Sequence, residues 1–205
     1  MLSSPDPGDE PAPSLPSLPP FVTIQTLPKS AQSLIFLTTM SSLVVGTLIG
    51  SDVIARAESL PVLGALLTSW HGTLWLLGPI FVAAGVSHFF VNEFEDIYPE
   101  PGTWGIWYLP GSAKFHVAWT GVAEILGGAG LIAGHFADLP QVSATVAALL
   151  LALAWGVYPA NLHMATHGKQ LPAGVEMDNG AHIGRYAAQI ALQTALLTLV
   201  RVSLN

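Results

Sequence analysis

The chain has no cysteine. That excludes thiol redox chemistry, disulfides, thiolate-held iron–sulfur clusters and thiolate zinc sites. Charge is scarce as well. Asp, Glu, Lys and Arg make up 9% of the 205 residues, against about 25% in an ordinary soluble domain. Only six residues are Lys or Arg, which leaves no basic patch for nucleic acid. The formal net charge of −7 collects partly in an N-terminal tail and one loop, so it says little about partners.

What replaces charge is apolar surface. The chain is 51% hydrophobic, with a mean hydropathy of +0.56, which points to an all-α, multi-pass integral membrane protein of one domain. Residues 1–30 are rich in Pro, Ser and acid and hold one cation, Lys29; they read as a disordered tail. The tail lacks the Arg-rich start of a transit peptide and the basic start of a signal peptide. Either processing has removed such a segment or the first hydrophobic helix serves as the signal.

The transmembrane domain covers 31–205, and the apolar runs predict five spans at about 33–51, 71–92, 115–136, 141–163 and 182–203. Each is close to the roughly 20 residues that cross a bilayer. A short interfacial helix is expected at about 60–69, a kink at Pro79, and an end to the fourth span near Pro159. The loop EFEDIYPEPGTWGIWYLPGSAK, between spans two and three, is acidic and then aromatic. Trp104, Trp107 and Tyr108 read as an interfacial belt or as a lid over a pocket.

Alternating topology brings this loop to the same face as the loop between spans four and five. His88, His116, Asn161, His163, His167, His182 and Arg185 gather there. That face also holds Lys29, Lys114, Lys169 and Arg185, against Arg56 and Arg201 on the other, so the positive-inside rule favours it as cytoplasmic or its equivalent. His71 and His135 fall at the opposite face.

Glu124 is the one charged residue between Phe115 and Ala137. A charge near mid-membrane costs roughly 3 kcal/mol on insertion scales, and such a group is partnered, protonated or used. It sits roughly 12–13 Å below the polar face at 1.5 Å per residue. Gly127, Gly130 and Gly134 follow it at spacings that let another helix approach closely. Glu124 shares a face with Gly127 or Gly128 and therefore turns inward.

Four segments carry a resemblance: GVSHFF (85–90), GVAEILGGAGLIAG (121–134), YPANLHMA (158–165) and IGRYAAQIALQ (183–193). In this order they resemble the DoxX-like family of small membrane proteins, over about 71–203. The resemblance implies a four-helix transmembrane bundle, to which this chain adds an N-terminal span. The family takes its name from a membrane subunit associated with thiosulfate:quinone oxidoreductase, and most of its members have no assigned reaction.

The polar residues admit several uses. Glu124 and His88 are the candidate proton-handling, catalytic pair. Asn161, Arg185, Gln189 and His163 are candidate ligand-binding residues. Arg185 is a partner for Glu124 or for an anion, or an arginine reaching the surface. Asn161 caps carbonyls at the end of span four or binds ligand. His163 and His167 have the spacing of a helical metal pair, but without further ligands they read as solvated histidines, and no metal is assigned. Three functions remain open. The first is a redox-associated protein with a pocket for a quinone or isoprenoid-like ligand, supplied with electrons by a redox partner, a larger membrane complex or a bound cofactor. The second is a non-catalytic accessory subunit of a bioenergetic complex, in which these groups hold the bundle or bind lipid. The third is a lipid- or isoprenoid-modifying enzyme using Glu124 and a histidine as acid and base.

Overall fold

A computed structural model describes residues 21–106, 111–168 and 177–204. Trp107, Tyr108, Lys169 and the first 20 residues of the expected tail lie outside that set. The described residues are helical, with no strand: α1 (Lys29–Ala57), α2 (Pro61–His71), α3 (Leu77–Ser87), α4 (Glu93–Ile97), α5 (Ala113–Phe136), α6 (Pro140–His167) and α7 (Asn179–Leu204). Five helical stretches are long and apolar enough to cross a membrane: 29–57, 61–87, 113–136, 140–167 and 180–204.

Several boundaries differ from the sequence-based expectation. Composition assigns 21–30 to the tail, yet Val22–Thr26 form a 3-10 turn and α1 begins at Lys29. The buried Gln32 amide donates to the carbonyls of Gln25 (3.0 Å) and Leu27 (2.8 Å), which holds that turn against the helix. The expected span at 71–92 is not one helix. α2 ends at His71, a 3-10 turn covers Leu74–Leu76, and α3 runs only from Leu77 to Ser87. Pro79 has no N–H to give the Trp75 carbonyl, so the ladder restarts before it. It therefore occupies the first turn of α3, where no donor is needed, and does not kink a span. α6, by contrast, runs through Pro159 to His167 and stops at Gly168, whose positive φ of 63° suits glycine.

The helices pack in the order α3, α5, α6, α7, α1, each chiefly against its neighbours in that series. α3, α5, α6 and α7 are joined by a core that includes Leu74, Phe81, Leu131, Leu150 and Leu196. α1 attaches to the outside of α7. The two run parallel, linked by Ser42 to Tyr186 (2.7 Å), Thr47 to Gln193 (2.9 Å) and Asp52 to Arg201 (2.8 Å). Gln193 is wholly buried, and its Oε1 also accepts from Trp155 Nε1 at 2.8 Å, so one amide joins α1, α6 and α7.

Glycine sets the position of α5 on two sides. Gly127, Gly130 and Gly134 face α6, where added Cβ atoms would strike Leu150, Val146 and Ser143. A second pair faces α3. A Cβ on Gly128 would collide with the Gly78 carbonyl, and one on Gly121 would lie 2.9 Å from the Gly85 carbonyl and 2.8 Å from His88 Cβ. In lipid, helix association depends on such close packing, because burying apolar surface gains little there.

Gly128→Ala is expected to cost about 1–3 kcal/mol, since backbone must move to admit the methyl group. Gly184→Ala has open space around its Cβ and is expected to be neutral or to stabilise by up to about 1 kcal/mol. Unfolding of both variants in mixed micelles checks this. Equal stability would show that α3 and α5 are not held at backbone contact.

Candidate functional site

α5 carries a polar stripe at helical spacing: His116, Thr120 and Glu124, all buried. Ser112 starts this helix by accepting from the Phe115 N–H at 3.2 Å. α3 ends opposite the stripe. There His88 follows Ser87 and turns its ring toward α5, a placement set by the backbone contact between Gly85 and Gly121.

Glu124 is 8% exposed. Its Oε2 is buried without a hydrogen-bond partner, and His88 Nε2 lies 3.6 Å from it. The other ring nitrogen, Nδ1, is 2.9 Å from the Val117 carbonyl and 3.3 Å from Thr120 Oγ1. A carbonyl only accepts, so Nδ1 carries a proton. A neutral His88 ring then points the Nε2 lone pair at the carboxyl. At 3.6 Å the contact is too long for a hydrogen bond.

The pair lines a cavity of about 340 Å³. Ile80, Phe81, Leu153 and Leu192 make much of its apolar wall, and Asn161 and Gln189 add two amides. Phe94, Ile97, Tyr98 and Pro99 line it from the first half of the loop, and not from Trp104, the described member of the aromatic set expected as a belt or lid. Tyr98 stacks on His116, with centroids 4.7 Å apart and planes at 9°. Burial pushes the Tyr98 hydroxyl above its ordinary pKa of 10.0, which keeps it a neutral donor. Trp119 Nε1 donates to His116 Nδ1 at 3.0 Å, so a neutral His116 carries its proton on Nε2.

The structure brings Glu124, His88, Asn161 and Gln189 together around one cavity, which neither Arg185 nor His163 lines. Arg185 lies outside this cavity, in an adjoining groove. It donates to Asn161 Oδ1, and it is His88 that faces Glu124. Asn161 is therefore no helix cap. The helix continues past it, and its carbonyl oxygen is taken by the guanidinium. His163 does not line the cavity either. It is buried beneath the loop, where Nδ1 donates to the Ile97 carbonyl (2.9 Å) and its ring meets the edge of Trp104 and the ring of His167. That hydrogen bond ties α4 to α6. His163 is buried and not solvated as expected, whereas His167 is half-buried. Trp104 is fully buried against Phe36 and bonds Thr166 through Nε1 at 3.3 Å, so it anchors the loop and is not part of an interfacial belt. Among the described residues, no group of three or more His, Asp or Glu is placed to hold a metal ion.

Tyr98, Trp119 and Thr120 escaped the sequence reading. Thr120 was detectable, since it falls midway between His116 and Glu124 on one helix face. Tyr98 offered no such signal, because a loop has no period.

The family model described as "Domain of unknown function (DUF8561)" matches residues 77–200. That is more than half of the chain, and the chain belongs to this family. The match opens with α3 and closes within α7, so it contains the cavity and omits α1 and α2. No curated protein and no solved structure matches the chain.

The His88–Glu124 contact is expected to couple the two side chains by about 1 kcal/mol or more. A cycle of Glu124→Gln, His88→Gln and the double variant, read by unfolding in mixed micelles, measures it. Additivity within about 0.5 kcal/mol would mean that the two groups do not interact.

Proposed function

We propose that this member of a family of unknown function is a DoxX-like membrane protein associated with membrane redox metabolism. Its cavity takes the head group of a quinone or similar isoprenoid against Glu124 and His88. The observation that carries this reading is the buried Glu124 Oε2, which has no hydrogen-bond partner, faces His88 and lies on the wall of a largely apolar cavity.

A quinone carbonyl accepts hydrogen bonds and develops negative charge as it is reduced. A donor held in a water-poor site stabilises that charge better than one in water. A proton carried by Glu124 or by His88 Nε2 is such a donor. Reduction of a quinone to its quinol takes two electrons and two protons. The pair delivers one proton at a time and is recharged from the aqueous face. The electrons come from a redox partner, for which the chain has no cysteine-held centre to substitute. The apolar walls suit an isoprenoid tail.

The DoxX-like resemblance adds support. Each of its four segments places a residue in this one cavity: His88, Glu124, Asn161 and Gln189.

Binding of a short-chain benzoquinone to the purified chain, followed by quenching of tryptophan fluorescence, tests the reading. Glu124→Gln is expected to weaken binding about tenfold, roughly 1.4 kcal/mol, and to lower quinone reduction in native membranes. Unchanged affinity and turnover would refute it.

A further inference from the structure

Arg185 is a cation inside α7 whose partners among the described residues are all neutral. Its Nη2 donates to Asn161 Oδ1. Its Nη1 donates to two thioethers, Met164 Sδ at 2.9 Å and Met177 Sδ at 3.4 Å. No carboxylate among the described residues lies within ion-pair distance of it. Thioether sulfur is a weak acceptor, and a guanidinium has five N–H donors. These three bonds leave Nε and one Nη2 proton unengaged.

The side chain is only partly exposed, and it borders a groove of about 240 Å³ between α6 and α7. Tyr158 and His182 flank it there, and Ala188 and Leu192 continue the groove as an apolar wall. On α7, Leu192 lies two turns further into the span than Arg185. The groove is thus cationic toward its mouth and apolar below. A half-buried cation with no counter-charge among the described residues is costly in a membrane, and it is retained where it meets a partner or a ligand.

We propose that Arg185, with Asn161 orienting it, binds the oxyanion head of an amphiphile, a carboxylate or phosphate monoester whose chain follows Ala188 and Leu192. The planar guanidinium fork matches two oxygens of such a head. The soft thioethers give way to the stronger acceptor. This site is separate from the Glu124 pair, although Asn161, Gln189 and Leu192 line both spaces. It stands whether or not the cavity takes a quinone.

The full chain in an uncharged detergent, titrated calorimetrically with dodecyl phosphate, tests the proposal. Saturable binding is expected, weakened at least tenfold by Arg185→Gln and unaffected by Arg201→Gln at the opposite face. Asn161→Asp supplies an internal counter-charge, so it is expected to preserve the fold while abolishing binding, even if Arg185→Gln does not fold. Wild-type affinity in Asn161→Asp would overturn the proposal. Inorganic phosphate is expected not to saturate the site at comparable concentration. If it binds as tightly as dodecyl phosphate, the amphiphile is wrong and the site belongs to a soluble anion.

Discussion

Backbone contact between α3 and α5 is the constraint on which the cavity depends. Gly78 and Gly85 on one helix meet Gly128 and Gly121 on the other, so that each carbonyl occupies the space a side chain would need. Both pairs are seven residues apart, two helical turns, and the helices run antiparallel. At this separation His88, just past the end of α3, reaches Glu124 in the middle of α5. Wider spacing would leave the carboxyl in hydrocarbon without its imidazole. The second glycine row of α5 then lets α6 close the other side, and Asn161 completes the wall with Gln189 from α7.

The polar groups inside this apolar bundle follow one rule with three outcomes. Gln193 satisfies two helices at once through a single oxygen and so fastens α1 to the rest. Glu124 faces His88 at 3.6 Å on a cavity wall, its Oε2 without a hydrogen-bond partner. Arg185 keeps neutral partners and unused donors beside a groove. A membrane interior penalises each group that lacks a partner. The first arrangement joins helices through its oxygen although Gln193 Nε2 has no partner, while the second and third open onto spaces able to take a ligand.

Much of the site was legible because topology is strongly constrained in a membrane. Alternation of spans places His88, Asn161 and Gln189 near one face, and the lone carboxylate in Phe115–Ala137 marks the floor beneath them. Errors came from local rules that tertiary context overrode. Pro159 reads as a helix end, but α6 continues because neighbouring helices hold both halves. Trp104 has the look of an interfacial tryptophan, but the loop folds back and buries it against Phe36 and His163.

By itself, the sequence determined that the chain is helical, that five stretches can cross a bilayer, and that Glu124 turns away from lipid. Length, hydropathy and the price of a charge in hydrocarbon suffice for that. Only the tertiary structure decided that Glu124 meets His88 and not Arg185, that Tyr98 closes the cavity, and that Arg185 opens onto a groove of its own. Hydrophobic patterning reports which residues leave water. Which neighbours they then meet depends on the rotation and separation of whole helices, and here glycines distributed over α3 and α5 set both.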